Sequence, residues 1–267
     1  MRFFKLTVAY DGTHFSGWQW QPDRRTVQGE LETAVDRVTG GSRRLVASGR
    51  TDAGVHALGQ AVTLATDSAL PPDVLLRALN ANTPGDLVVL DVQAARDGFN
   101  AIDDAIGKRY RYWIQDGPIP DVFMRHYAWQ VRQPLDADAM HDAAQALKGT
   151  HDFKSYESSG SPRVSTVRSV RDLVVRRQTR DATSYVVIEV EADGFLYNMV
   201  RNIVGTLVEV GREKKSPAWP GEVLAARDRR VAGMTAPPQG LYLEYVRFAE
   251  KGTQLFSASV NSALQKP

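Results

Sequence analysis

The succession of periodic segments is the feature that most constrains how this chain folds. Residues 2–10 alternate as a strand does, and apolar side chains then recur at helical spacing between Thr26 and Gly40-Gly41. The first segments are strands at 2–10, 44–47, 60–66 and 86–93 and helices between Thr26 and Gly40 and from Pro71-Pro72 to about Ala81. The order β-α-β-β-α-β predicts an α+β unit with a mostly antiparallel sheet.

The rest of the chain repeats this order. Strict alternation over residues 107–115 places Lys108 and Tyr110 on one face of a strand and Arg109 on the other. The further segments are strands at 107–115, 126–132, 167–177, 184–192 and 241–248 and helices at 136–148, 198–210 and from about 220.

Two such units predict the fold class. We expect two β-α-β-β-α-β halves of ferredoxin-like order, with mostly antiparallel sheets side by side around a central cleft. The predicted domains are an N-terminal half at residues 1–105 and a C-terminal half at 106–250. Residues 251–267 have few apolar anchors, and we expect a flexible tail there.

Composition excludes several classes of chemistry. The 267 residues include no cysteine, which rules out disulfides, zinc–thiolate sites and cysteine nucleophiles. The five histidines lack the H-x-x-x-H and H-E-x-x-H spacings, so we expect no metal site. No apolar run approaches membrane-spanning length, and the N-terminus lacks the apolar core of a signal peptide. We therefore expect a cytoplasmic protein with no membrane partner.

Positive charge is clustered, although the formal net charge is only +2. Lysine and arginine alternate with tyrosine at 108–112, and further basic clusters lie at 43–44, 163–180, 214–215 and 227–230. A single cluster is usually a solvated face. Several clusters interleaved with tyrosines favour a polyanionic partner, which indicates RNA or DNA.

The segment Ser48–His56, S-G-R-T-D-A-G-V-H, combines two glycines with an arginine and a lone carboxylate. It follows a short apolar run and precedes a strand, so it predicts a strand-end loop that presents Arg50 and Asp52 together. We expect Gly49 and Gly54 to take tight or positive-φ turns. Asp52 either caps a backbone N–H or serves as a functional carboxylate, and this pattern alone does not choose between them.

An arginine lies inside an otherwise apolar helix. Arg201 shares a helical face with Gly205 and Val208, so its guanidinium is predicted to be partly buried and to need an anionic partner. A structural ion pair with any acid would satisfy the same pattern. Two other side chains have simple structural interpretations, because tyrosine at 110 favours a strand and His56 fits a loop-packing histidine better than a general base.

Six segments taken together resemble the tRNA pseudouridine synthase A family, whose members isomerise uridines in the anticodon stem-loop. The segments are Y-D-G-T-x-F-x-G-W-Q (10–19), S-G-R-T-D-A-G-V-H-A-x-G-Q (48–60), N-A-N-x-P-x-D (80–86), K-R-Y-R-Y (108–112), M-V-R-N-I-V-G (199–205) and A-P-P-x-G-L-Y-L (236–243). They follow the family order along the chain up to about residue 248, which makes the resemblance specific.

The resemblance implies a pseudouridine synthase fold, no cofactor, a homodimer, and tRNA as the partner, modified at positions 38, 39 and 40. It implies that Asp52 is the catalytic aspartate, that Arg50 assists flipping of the target nucleotide, and that Tyr110 contacts the uracil. It also implies that Arg201 pairs with the aspartate. Further RNA contacts are expected from Lys108, Arg109, Arg163 and Arg168.

These roles suit the isomerisation, which breaks the N1–C1′ bond, turns the uracil and rejoins it through C5. One carboxylate suffices as nucleophile or general base, because nothing is oxidised and no group leaves the enzyme. Burial alone would raise the pKa of Asp52, and a charge-assisted bond from a buried arginine opposes that rise. The sequence does not distinguish attack on C1′, attack on C6 and removal of a sugar proton.

Two stretches depart from the family pattern. Ile102 and Asp103-Asp104 follow Phe99–Ala101 where relatives usually carry an arginine, and two acids near a phosphate path would weaken attraction for RNA. Arg163 precedes the usual basic position, which Val164 occupies here.

The alternative functions are the same reaction on another RNA and a catalytically idle RNA-binding protein. A glycosidase-like hydrolase is disfavoured because it would want a second paired carboxylate.

Overall fold

The computed structural model describes residues 1–41, 44–160, 164–180 and 183–249, and the predicted tail at 251–267 lies outside them. The strands are β1 (Arg2–Tyr10), β2 (Val46–Ala47), β3 (His56–Thr66), β4 (Leu87–Ala95), β5 (Ala105–Asp116), β6 (Trp129–Val131), β7 (Gly149–Asp152), β8 (Val167–Arg180), β9 (Thr183–Ala192) and β10 (Leu241–Phe248). The helices are α1 (Val27–Thr39), α2 (Pro72–Asn80), α3 (Ala137–Ala144), α4 (Met199–Gly211) and α5 (Trp219–Ala226).

The last strand joins the two halves into one sheet of order β4-β1-β3-β10-β5-β9-β8-β7, with β2 paired to β3 and β6 to β5. β10 runs parallel to β3, where Tyr242 lies opposite His56, and antiparallel to β5, where Leu243 lies opposite Tyr110. The remaining pairs of described strands are antiparallel except β5–β6. The predicted α+β class is confirmed, and the domain boundary at residue 105 stays a prediction.

Most strands differ from their predicted bounds by one to three residues, and the larger differences concern β3, β6 and β7. β3 begins at His56 instead of residue 60, because it is buried along nearly its whole length and its first residues show no alternation. β6 is limited to Trp129–Val131 because the N–H groups of Tyr127 and Ala128 donate to the Met124 carbonyl and turn the preceding chain. β7 was not predicted, since its four residues are short of apolar side chains and none is buried.

Helix α1 begins and ends at its predicted capping residues, whereas α3 ends at Ala144, short of the predicted residue 148, and a 3-10 turn at Gln145–Leu147 follows it. The Thr26 hydroxyl accepts the N–H of Gly29 at 3.2 Å, and Gly40 ends α1 at a φ of 68°. In α4, every residue is buried except Arg201 and Glu209, so this helix forms the centre of the second half. Burial of one such leucine or isoleucine stabilises the fold by about 1.5–3 kcal/mol. No helix in the described ranges is long and apolar enough to cross a membrane.

Candidate active site

The loop between β2 and β3 carries Asp52 to the place where the two halves meet. Gly54 turns the chain at a φ of 78°, which confirms the prediction for this glycine. Gly49 lies outside the positive-φ region, and its lack of a side chain serves a close approach instead. A Cβ at residue 49 would stand 3.0 Å from the Nζ of Lys108. The first glycine therefore makes room for a lysine, and the second makes the turn.

Side chains from two strands fix the beginning of this loop. The Ser48 hydroxyl donates to Gln60 Oε1 at 2.8 Å, and Gln60 Nε2 donates to the Gly49 carbonyl at 2.8 Å. Lys108 Nζ donates to the Ser48 carbonyl at 2.5 Å. Gln60 is fully buried, so losing either of its partners would leave an unsatisfied polar group, at a cost of about 1–3 kcal/mol. The backbone before Arg50 is thus held from both halves.

Thr51 anchors the residue before the carboxylate. Its Oγ1 lies 2.8 Å from the Tyr10 hydroxyl, and its carbonyl accepts the N–H of Trp18 at 2.9 Å. Burial raises the pKa of Tyr10 to about 12, so this phenol is protonated at neutral pH. Asp52 therefore projects from backbone tied to β1 and to the loop that follows it.

Arg201 reaches Asp52 from the first turn of α4. Its Nη1 lies 3.3 Å from Asp52 Oδ2 and donates to Asn198 Oδ1 at 2.9 Å. Its Nε donates to the Ala236 carbonyl at 2.7 Å. The Arg201 side chain is only 15% exposed. The anionic partner that its apolar surroundings predict is therefore Asp52, and the ion pair implied by the resemblance is present.

Two opposing influences set the ionisation of Asp52. Burial raises the pKa of the Asp52 carboxyl above its ordinary value, and the Arg201 guanidinium opposes that rise without abolishing it. Burial likewise raises the pKa of the Tyr110 phenol, with smaller contributions from Tyr10 and from the negative charge of Asp52. The ionised state of the carboxyl thus depends on the position of Arg201.

A cavity of about 1160 Å³ opens over this ion pair. Tyr110 is 8% exposed and lines the cavity, and its ring meets that of Phe195 edge-on with centroids 5.0 Å apart. Among the described lining residues, Asp52 is the only acid. The basic lining residues are Arg44, Arg50, Lys108, Arg168 and Arg201. The cavity therefore carries a local excess of positive charge that the net charge of the chain conceals.

Three of the basic residues predicted to contact the nucleic acid lie at this cavity. Arg50 is exposed and makes no hydrogen bond or ion pair with another described residue. Lys108 is bonded to the Ser48 carbonyl, and Arg168 Nη1 donates to the Ser165 carbonyl at 3.0 Å. Arg50 is thus the cation most available to a ligand.

The other two predicted basic contacts are not found at the cavity. Arg163 lies outside the described residues. Arg109 projects from the opposite face of β5, where Asp172 and Glu189 each lie 3.1 Å from its guanidinium. A contact from Arg109 to RNA would therefore need a surface other than the cavity.

The departure at Ile102 shapes one side of the cavity rim. Ile102 is 54% exposed and lines the cavity. Asp103 accepts a hydrogen bond from Asn100 Nδ2 at 2.6 Å, and Asp104 accepts one from Arg96 at 2.5 Å. Both acids are thus engaged within their own turn. The weaker attraction for RNA that was expected at residues 102–104 therefore depends mainly on Ile102, which stands where relatives usually carry an arginine.

His56, predicted to be a loop-packing histidine, is instead the first residue of β3; it packs at the seam between β3 and β10 and is 2% exposed. Its Nδ1 accepts the N–H of Gly12 at 3.1 Å, so Nε2 carries the proton and lies 3.0 Å from the His126 carbonyl and 3.2 Å from that of Gln239. Burial lowers the pKa of His56, with Asp11 opposing the change. This histidine is a neutral link between the halves.

Sequence reasoning missed three residues of the site. Phe195 and Asn198 lie just before the matching segment at 199–205, and nothing in the pattern assigns them a contact. Ala236 acts through its carbonyl, which every residue type possesses, so composition carries no signal for it. No group of three or more histidine, aspartate or glutamate side chains in the described part of the chain is arranged to hold a metal ion.

A sequence model described as tRNA pseudouridine synthase matches residues 6–101 and 143–249. The chain belongs to the tRNA pseudouridine synthase family. Asp52 and Arg201 both lie in the matched ranges, whereas Tyr110 and Lys108 lie between them. As a family member, the protein is a pseudouridine synthase, which is an isomerase.

Curated relatives agree with this membership. The tRNA pseudouridine synthase A of Moorella thermoacetica is 45% identical over 250 residues, covering 93% of this chain and 100% of that protein. The tRNA pseudouridine synthase A of Brevibacillus brevis is 48% identical over 241 residues, covering 90% and 97%. A crystal structure of a Cbf5-Nop10-Gar1 complex aligns with 88% of this chain and 56% of that chain at a TM-score of 0.31 and 12% identity, too remote for any argument.

Proposed function

We propose that this synthase converts uridine to pseudouridine at positions 38, 39 and 40 of the tRNA anticodon stem-loop. The coarser statement, pseudouridylation of tRNA, follows from membership of the family. The observation that supports the catalytic part of the proposal is the Asp52–Arg201 ion pair beneath a basic cavity, at 3.3 Å between Oδ2 and Nη1. The target positions rest on the six-segment resemblance.

The reaction needs an ionised carboxylate and no added group. The N1–C1′ bond breaks, the uracil turns, the C5–C1′ bond forms, the C5 proton leaves, and N1 gains a proton. In the proposal Asp52 is the essential nucleophile or base. Arg201 supports this role, because its positive charge opposes the effect of burial on the carboxyl. The Tyr110 phenol is neutral at physiological pH, which suits a ring that contacts a neutral uracil.

The target uridine lies in a stem and has to leave it before Asp52 can reach it. Flipping costs a few kcal/mol of stacking and pairing. In the proposal Arg50 occupies the vacated space, which is consistent with its exposure beside Asp52 and with its lack of a described partner. The cavity volume of about 1160 Å³ is above the roughly 300–1,000 Å³ of small-molecule pockets, as expected for a nucleotide still attached to its chain.

The direct test is site-resolved pseudouridine mapping on unmodified tRNA transcripts. Transcripts with uridine at 38, 39 or 40 should gain pseudouridine there, and those with cytidine at all three positions should gain none. Asp52→Asn should abolish turnover and leave tRNA binding nearly unchanged. Asp73→Asn is the matched control, because Asp73 is 65% exposed on α2 and should turn over normally. An active Asp52→Asn, or product only at other positions, contradicts the proposal.

The proposal includes a homodimer, which rests on the resemblance, and a cytoplasmic location, which rests on the composition of the sequence. One tRNA would then lie across two protomers. Sedimentation equilibrium of the full chain tests the first point, since a monomer at micromolar concentration contradicts it. Cell fractionation tests the second.

A further inference from the structure

The segment Gly233–Ala236, here called the strap, packs against α4 without spare room. A Cβ at Gly205 would stand 1.7 Å from the Met234 carbonyl oxygen, and one at Gly233 would stand 2.6 Å from the Gly205 carbonyl oxygen. Backbone therefore meets backbone at this crossing. Two glycines permit the approach, and the strap has little freedom to shift along the helix.

The strap bonds to Arg201 twice. The Ala236 N–H donates to the Arg201 carbonyl at 3.1 Å, and Arg201 Nε donates to the Ala236 carbonyl at 2.7 Å. A single strap residue thus holds both the backbone and the guanidinium of the arginine. An arginine side chain otherwise has large rotamer freedom. Here Nε is fixed, and Nη1 is directed toward Asp52.

The buried side-chain amide of Asn202 holds the strap through hydrogen bonds. Thr235 Oγ1 donates to Asn202 Oδ1 at 2.6 Å, and Arg229 Nη2 donates to the same oxygen at 3.0 Å and to Thr235 Oγ1 at 3.1 Å. Asn202 Nδ2 donates to the Tyr156 carbonyl at 2.8 Å and to Ser158 Oγ at 3.2 Å. Asn202 is completely buried and uses its full hydrogen-bonding capacity. Such satisfied networks specify one arrangement.

We propose that the strap, pinned through Thr235 and Asn202, is a positioning device that holds the Arg201 guanidinium on Asp52. Neither Thr235 nor Asn202 lines the cavity, so both are positioning residues and touch no substrate. The inference deepens the proposed function and rests on Asp52 as the essential carboxylate. It explains how an ion pair between the two halves is kept ready before RNA arrives, with no rearrangement left for the reaction itself.

The pH dependence of the reaction reports the position of Arg201. Arg201 from α4 and the neutral Tyr110 phenol from β5 face Asp52, and Arg50 and Lys108 line the same cavity. Displacing Arg201 leaves the burial of Asp52 less opposed, so the pKa of its carboxyl rises. Since the carboxylate has to be ionised, the acid limb of kcat/KM then moves to higher pH.

Thr235→Val tests this by removing the hydroxyl while keeping the side-chain shape. The acid limb should move up by about half a pH unit or more, with a larger loss of kcat/KM at acidic than at alkaline pH. Thr235→Ser keeps the hydroxyl and should titrate as the wild type does. Thr66→Val is the control, because it removes a buried hydroxyl that accepts the N–H of Ser68 at 3.1 Å at the far end of β3.

A second measurement separates the strap from the proposed function. The ¹³C resonance of the Asp52 carboxyl, identified by its loss in Asp52→Asn, gives the titration without turnover. Arg229→Gln shortens the side chain and so withdraws the donor from Asn202 and Thr235, and it should give a smaller shift in the same direction. An unchanged Asp52 titration in both folded Thr235→Val and Arg229→Gln overturns the strap proposal. A wild-type protein that forms no pseudouridine overturns the proposed function instead.

Discussion

One added methyl group at Gly205 measures how closely the strap and α4 are matched. In Gly205→Ala the new Cβ would stand 1.7 Å from the Met234 carbonyl oxygen and 3.5 Å from the Ala236 nitrogen. Cβ contacts below 3.0 Å are essentially never seen, so the carbonyl has to retreat from 1.7 Å to at least 3.0 Å. The atoms in the way are backbone, and no flexible side chain can absorb the change. The strap itself has to move.

Two opposing contributions set the expected change in the free energy of unfolding of Gly205→Ala. Alanine in place of a glycine inside a helix is favourable by about 1 kcal/mol. Overpacking a close-packed site costs about 1–3 kcal/mol and occasionally more. Because a whole segment is displaced, the upper end applies, and we expect a net loss of about 2 kcal/mol in the free energy of unfolding. The displacement also shifts the carbonyl that holds Arg201, and a misplacement of about 1 Å costs activity on the order of 100-fold.

Urea unfolding and kcat/KM on a tRNA transcript measure the two effects separately. Gly221→Ala in α5 is the matched control, because its Cβ would meet the Cβ of Ala146 at an ordinary 3.4 Å. That variant should keep wild-type activity and be at least as stable as the wild type. If Gly205→Ala matches the wild type in both stability and turnover, the close crossing is not what positions Arg201, and the reasoning fails.

Two further predictions concern single side chains. Arg50→Ala should lower kcat/KM about tenfold or more, because a loss of about 1.4 kcal/mol in the stabilisation of the flipped nucleotide corresponds to a factor of ten in rate. The free energy of unfolding should change by less than about 0.5 kcal/mol. Arg77→Ala is its control, because the Arg77 side chain on α2 is 70% exposed, and equal turnover in the two would contradict the role of Arg50. Burial lowers the pKa of His56 from its ordinary value of 6.5, so on acidification the unfolded chain takes up this proton before the folded chain does. The free energy of unfolding therefore decreases as the pH drops below about 6.5. Urea titrations at about pH 7.5 and 5.5 should show that the free energy of unfolding decreases less between these two pH values in His56→Gln than in the wild type. An equal decrease in the two proteins would count against this pH dependence.

Local sequence patterns predicted most of the strands and helices, but not which strands pair with each other in the sheet. The alternation of β10 identifies a strand, yet nothing in residues 241–248 shows that it inserts between β3 and β5. That pairing joins segments far apart in the chain, and only the packing of the whole sheet selects it. The same limit affected β3, where burial on both faces removed the alternation that would have placed its start at His56.

The site divides in the same way. The pattern alone predicted that Arg201, in an apolar helix, needs an acidic partner, and the family resemblance identified that partner as Asp52. Alternation also separated Tyr110 from Arg109 correctly, although only the structure shows Glu189 beside Arg109. The Ala236 bonds were beyond reach, because backbone atoms make them.

The Asp52–Arg201 ion pair depends on how firmly the two halves are joined. Asp52 comes from the first half and Arg201 from the second, yet β3 and β10 align at only two described positions, Tyr242 with His56 and Leu243 with Ala57. Side chains reinforce this short seam. The His56 ring stacks on Tyr242 with centroids 4.7 Å apart, and the Tyr127 hydroxyl donates to Asp11 Oδ2 at 2.6 Å. Loosening the seam would therefore separate Arg201 from Asp52 and raise the pKa of the carboxyl before the chain unfolds, so the active site should lose function at a lower denaturant concentration than the core loses structure.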